Sequence, residues 1–326
     1  MAILVKSTAG GQAVRRPAFR RGNGDRVFRL LATAAGITLL AIMAAIAVFL
    51  VAEAIPALRA NTANFLTELT WQPNAAEPVF GIGALAFGTL LSSFLALVMA
   101  TPVAVGVALF ISHYAPRRLA VVLGYVVDLL AAVPSVVYGL WGATFLVPFI
   151  VEPSRFLNRY LGWIPLFGGD TVVGRSMFTA SIVLAIMILP IIAAISREVF
   201  LQVPRAHEEA ALALGATRWE MIKMVVLPFG RPGVISAAML GLGRAMGETI
   251  AVALIFPATF TVSFQILGPT GNSIAANIAN GFGEATDLGR GALIASGLVL
   301  FLITLAVNMA ARLIVARRAA YARAVA

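Results

Sequence analysis

SMFTASIVLAIMILPIIAAIS, residues 176–196, runs for 21 residues without a charged side chain. A bilayer whose hydrocarbon core is about 30 Å thick is crossed by roughly 20 apolar residues of helix, so this stretch reads as one crossing. Working outward, five more stretches qualify: approximately Leu30–Val51, Val79–Ser112, Leu119–Ile150, Gly233–Phe256 and Gly291–Ala311. Val79–Ser112 and Leu119–Ile150 exceed the required length, which predicts tilting, breaks at Pro102 and Pro134, or extension past the membrane. Leu30–Val51 has an Arg-rich lead and small residues near Ala54, as a secretory signal does. It is too long for the apolar core of about 7–15 residues that a signal carries, so it reads as a retained span. The expectation is an all-α polytopic membrane protein with about six transmembrane helices.

Composition agrees. Of 326 residues, 60% are apolar and 12% charged, with a mean hydropathy of +0.95. A soluble domain keeps about 25% charged residues to wet its surface. With no cysteine, disulfides, thiol catalysis and Cys-ligated metals are excluded. His113 and His207 lie far apart, and neither forms a His-Glu-x-x-His pair, so metal-assisted hydrolysis is not expected. There is no Gly-x-Ser-x-Gly for an intramembrane hydrolase. Lys6 and Lys223 are the only lysines, and neither follows a phosphate-cradling glycine loop. The chain therefore reads as non-catalytic, with no metal or cofactor of its own, and any energy from ATP must come through another chain.

The net charge of +10 is spread over the short segments between apolar runs, rather than gathered in a patch that would grip nucleic acid. The N-terminal tail, the Arg117–Arg118 turn, the Arg197–Arg231 segment and the C-terminal tail together carry 18 Lys and Arg. The opposite segments carry five: Arg59, Arg155, Arg159, Arg175 and Arg290. The positive-inside rule then puts both termini and the Arg197–Arg231 segment in the cytoplasm of a plasma membrane. The expected organisation is a basic, aperiodic tail over residues 1–28, a membrane domain over 29–311 with a cytoplasmic loop at 197–232, and a basic tail over 312–326.

That cytoplasmic loop has its own local grammar. Pro204 suits a helix start, Arg205–Leu214 reads as helix, and Gly215 can adopt the left-handed cap. Thr217 and Glu220 then form a Thr-x-x-Glu capping box that opens a second helix, with Leu227-Pro228 expected to end it. Ala210, Ala211 and Ala213 keep the first helix slim enough for another protein to approach closely. Read from residues alone, the element is either an amphipathic connector or a docking site.

Here the chain resembles a known family. Glu209-Ala210-Ala211, Gly215, Val225 and Leu227-Pro228, in this spacing, are similar to the EAA loop of ABC importer permeases, with Val225 where that family usually has Ile. The resemblance implies that Glu209, Ala210, Ala211, Gly215, Leu227 and Pro228 belong to a coupling element that docks on a separate ATP-hydrolysing subunit.

Three ionisable residues fall inside the predicted spans: Asp128, Arg244 and Glu248. Each costs at least about 2.5–3.5 kcal/mol near a helix centre, so each needs a partner or a wet cavity. Arg244 and Glu248, four residues apart, would share a helical face and could pair. One reading is a structural ion pair locking two helices. The other is an anion station on a transport path, since a guanidinium fork matches two oxygens of an oxyanion at once. Asp128 repels anions by its sign, and a pairing or gating role is expected for it.

Gly243-Arg244-Ala245-Met246-Gly247-Glu248-Thr249 resembles a signature of the phosphate-specific ABC permeases. So do Val133-Pro134-Ser135-Val136-Val137-Tyr138-Gly139-Leu140-Trp141-Gly142 and the outer segment from Gly271-Asn272-Ser273-Ile274 to Glu284-Ala285. The set is similar to the PstC type rather than the PstA type. It implies a MetI-like type I importer core with one extra N-terminal span, phosphate as cargo and no catalysis by this chain. It also implies three partners: a PstA-type permease, a PstB-type ATPase dimer and a PstS-type phosphate-binding protein. Two rivals remain at this point. One is a permease for sulfate, molybdate or phosphonate; the other is a secondary transporter driven by an ion gradient.

Overall fold

The computed structural model describes residues 23–325, with side chains described over residues 24–313. The first 22 residues of the expected basic tail lie outside the described part. Contacts divide the chain at Phe49/Leu50. Up to Phe49 the described residues are the first part of a long helix, α1 (Asn23–Ala60). From Leu50 onward the chain forms a second unit, which holds all the remaining elements.

After α1 a two-residue antiparallel ladder, β1 (Trp71–Gln72) and β2 (Val79–Phe80), pairs Trp71 with Phe80. Then come α2 (Gly83–Leu109), α3 (Arg117–Ala131), α4 (Ser135–Trp141), α5 (Val147–Phe149) and α6 (Val151–Leu161). They are followed by α7 (Met177–Leu201), α8 (Arg205–Ala213), α9 (Arg218–Met221) and α10 (Leu227–Gly247). The last three are α11 (Ile250–Ala253), α12 (Ile274–Gly281) and α13 (Asp287–Val325). Among the described residues five helical runs are long and apolar enough to cross a membrane, or six if the bent pair Arg117–Ala131 and Ser135–Phe149 counts as one crossing.

The centre is α7 packed along α2. The face of α2 that meets the core repeats every four residues: Gly88, Ser92, Ala96, Ala100, Ala104 and Ala108 are all buried. In lipid, helices gain little by hiding apolar surface from one another, so close van der Waals approach has to hold them, and small residues permit it. Val183, Leu184, Ile188 and Ile192 of α7 fill the same core. Gly241 brings α10 in as well, since a Cβ there would meet Ile192 at 2.9 Å.

Among the described residues there are three π turns: Phe110–Tyr114 ends α2, and Gly142–Leu146 and Ile222–Val226 lie within continuing helix. A proline stands two residues after each: Pro116, Pro148 and Pro228. Proline has no N–H to give, and its ring collides with the carbonyl four residues back. At Pro148 and Pro228 the turn widens to relieve this, whereas Pro116 lies beyond the helix after an extended Ala115. In all three cases the residue before the proline donates its N–H five residues back: Ala115 to Phe110, Val147 to Gly142 and Leu227 to Ile222. This corrects one sequence expectation. Leu227-Pro228 does not end a helix; the widened turn absorbs Pro228, and helix continues from Arg218 to Gly247. Pro102, by contrast, stays inside an unbroken α2, whereas the long apolar run after Leu119 breaks before Pro134, with its two arms bent by 86°.

Candidate functional site: a capped surface helix and a broken span

The connection between α7 and α10 follows its sequence closely. Pro204 caps α8 in extended conformation, Gly215 takes φ +85°, and the Thr217–Glu220 capping box is formed in both directions. Met221, Ile222 and Val226 bury against Phe200 and Val203, together with Ala108 and Leu109 of α2. This anchors the base of the connection. None of α8 itself is buried. A cavity of about 760 Å³ opens between α8 and the start of the next helix, lined by His207, Ala210, Ala211, Leu214, Gly215 and Met224 among others. Leu214 is 90% exposed, and Trp219 and Met224 are exposed as well. Glu209, Ala210, Ala211 and Gly215 therefore sit on this open element, while Leu227 and Pro228 lie in the helix that leads away from it.

The second cluster joins two of the sequence stretches singled out above. Pro134 caps α4 at the elbow, and Tyr138 Oη donates to the Leu130 carbonyl at 2.9 Å, tying α4 back across the break to the end of α3. Gly139 and Gly142 then allow close packing: a Cβ on Gly139 would stand 2.6 Å from Ala251 Cα, and one on Gly142 would stand 2.8 Å from Val183. So α4 lies directly on α11, which starts just beyond the Arg244–Glu248 stretch.

Arg244 and Glu248 are not paired, which corrects the helical-face argument. The helix ends at Gly247, and Glu248 is extended, with φ −68° and ψ 130°. Its side chain is buried, and Oε1 accepts the N–H of Ala251 at 3.3 Å in the first turn of α11. Four-residue spacing brings side chains together only where the helix persists, and it does not persist here. Arg244 is partly buried and has no carboxylate within 4.0 Å among the described residues. Beside it, Gly243 and Gly247 face open space, and Tyr138 lies within electrostatic range.

Asp128 sits away from that cluster. Its Oδ2 meets Arg197 Nη2 at 3.5 Å, where α3 passes the end of α7, and Glu198 holds the same nitrogen at 2.8 Å. Of the three charges that the sequence places inside spans, then, the structure groups none with another. The outer segment 271–282 is more buried than a hydrated loop. Asn272, Ser273 and Asn277 are all under 8% exposed, Ser273 caps α12, and Thr89 Oγ1 accepts the Ile274 N–H at 3.0 Å. Sequence reasoning also missed His113, which contacts Glu208 from 95 residues away. Among the described residues no three His, Asp or Glu side chains gather closely enough to hold a metal ion.

An all-α multi-pass bundle with a short capped helix slung between two crossings is the build of a transport permease. Residues 100–320 match the family model described as the binding-protein-dependent transport system inner membrane component. The phosphate transport system permease protein PstC 2 of Mycobacterium tuberculosis is 50% identical over 304 residues, covering 92% of this chain and 93% of that protein. The phosphate transport system permease protein PstC of Xylella fastidiosa is 40% identical over 315 residues, covering 95% of each. A chain of a bacterial alginate ABC transporter, solved in complex with a periplasmic protein, superposes with a TM-score of 0.51 at 19% identity. It covers 70% of this chain and 76% of that one, and it bears on the fold alone. This chain belongs to the binding-protein-dependent transport permeases, within their PstC group.

Proposed function

We propose that this chain is one of two membrane-spanning halves of an ATP-driven importer of inorganic phosphate. The observation that carries the reading is 50% identity along 92% of the chain with a protein named as a phosphate transport permease. No structural feature favours sulfate, molybdate or an ion-gradient mechanism over it.

In this reading the open face of α8, with Leu214 and the slim alanine stretch, receives a groove of a PstB-type ATPase dimer. A PstA-type permease supplies the other half of the pathway, and a PstS-type binding protein delivers phosphate from outside. The charge bias supports placing both termini and α8 in the cytoplasm of a bacterial plasma membrane. Arg244 is the residue proposed to meet the anion. Among the described residues no carboxylate lies within 4.0 Å of its guanidinium, and the glycines beside it leave room for a tetrahedral ligand. Asp128, engaged with Arg197, is read as a tie between α3 and α7 at the edge of the pathway rather than a contact for cargo.

The test is ATPase activity of the co-purified complex in lipid, with its binding protein, under phosphate, sulfate, molybdate and no anion. Stimulation by phosphate alone is expected. Stimulation by another oxyanion would discard the cargo, and the absence of a co-purifying ATPase would discard the power source.

A further inference from the structure

Glu208, in the first turn of α8, meets His113 in the π turn that ends α2, with Nε2 3.3 Å from Oε1. The His113 side chain is 8% exposed. Its other ring nitrogen, Nδ1, lies 2.7 Å from Ser112 Oγ, and that hydroxyl lies 2.8 Å from the Ala108 carbonyl. Counting hydrogens decides what this chain of contacts requires. Serine has one hydroxyl hydrogen, and Ala108 offers only an acceptor. If Ser112 donates to Ala108, then Nδ1 must bring a hydrogen to Ser112. Nε2 must bring another to the carboxylate. An imidazolium satisfies all three contacts together, and a neutral ring gives one of them up.

The setting gives the contact mechanical meaning. Arg205 and Glu208 from α8 and Arg218 from α9 are the charged groups that line the surrounding pocket, and α7 contributes only Phe200 and Leu201. α2, at whose end His113 stands, runs the length of the core beside α7. A polar link from α8 to α2 therefore bypasses the turn at Gly215 and reaches the centre of the bundle directly.

We infer that His113 is a positioning residue for energy transfer: its imidazolium grips Glu208, so that displacement of α8 is delivered to α2. The inference rests on the reading of α8 as the ATPase-docking element. The π turn belongs to the device, because it sets the direction in which His113 leaves the helix.

The experiment uses the complex with its ATPase and binding protein in proteoliposomes, and reads phosphate moved per ATP hydrolysed. His113→Phe keeps a buried ring and removes the grip. It should lower the ratio by about fivefold or more, the lower end of common coupling effects. His113→Lys, which puts a cation back opposite Glu208, should recover the ratio, as a merely space-filling role would not allow. A His113→Phe complex with the wild-type ratio would overturn the inference. Glu208→Gln probes the same contact from an exposed helix, should the phenylalanine variant fail to assemble. Hydrogen exchange over residues 205–213 separates this idea from the cargo assignment. If phosphate does not stimulate the wild type, the cargo reading fails, yet faster α8 exchange in His113→Phe with recovery in His113→Lys still supports the link. Unchanged exchange removes it.

Discussion

Arg197 reaches Asp128 by lying across the bare backbone of Gly124: a Cβ on that glycine would stand 2.6 Å from Arg197 Nη1. The contact point is the far end of a flexible side chain, so the clash is relieved by moving the guanidinium rather than the helix. Gly124→Ala is therefore expected to sever the link at a cost of about 1 kcal/mol or less, because Asp128 is half exposed and such pairs are weak. A double-mutant cycle of thermal midpoints with Asp128→Asn checks this. The second substitution should add nothing once the first is present. Full additivity would mean that the glycine does not govern the pair.

The small-residue face of α2 makes a sharper demand. Ala104 is fully buried, whereas its neighbour Val103 is exposed. Ala104→Leu should wedge the helices apart and cost about 1–3 kcal/mol, as overpacking does. Val103→Leu should cost almost nothing. Thermal unfolding of the two variants in the same detergent decides between packing on this face and general sensitivity of the helix.

Glu248 and Arg244 are predicted to separate functionally. Glu248→Gln keeps an oxygen to accept the Ala251 N–H, so assembly should survive. Glu248→Ala loses that acceptor, with a cost of about 1 kcal/mol, as for a lost cap. Arg244→Gln should assemble normally and lose phosphate uptake. Uptake at the wild-type rate in a correctly assembled Arg244→Gln complex would take Arg244 out of the mechanism.

Pro228→Ala removes the cause of the third π turn. Helix propensity alone favours alanine by up to about 3 kcal/mol, so the thermal midpoint should rise. Transport per ATP should fall, since the approach from α9 into α10 changes direction. A lowered midpoint would show that the widened turn is held by its packing rather than imposed by the proline.

Much of this was legible in the residues, and the failures have a common cause. Gly215, Thr217 and Glu220 act through contacts a few residues long, so their roles could be read directly. The same holds for the break at Pro134, where a ring constrains its own neighbourhood. The Arg244–Glu248 pairing failed because it assumed a helix continuing past Gly247, and glycine spacing cannot say whether a helix packs tightly there or comes apart. The continuation past Leu227-Pro228 failed similarly: a proline demands relief, and a π turn provides it as well as a helix end does. His113–Glu208 and the Gly88–Ala108 face depend on which helix lies beside which. That information resides in tertiary contacts, and no single-helix pattern carries it.

The π turns also bear on how this chain tolerates insertion and deletion. Each one holds a residue more than an α-helix would need to cover the same path. Removing one residue within 222–226 together with Pro228→Ala should close that helix into regular form with both flanks left in place. Removing one from the middle of α7 would swing everything on one side by about 100°. Changes of length that other parts of the membrane domain reject are thus absorbed at the two mid-helix addresses, one of them lying between the surface helix and Arg244.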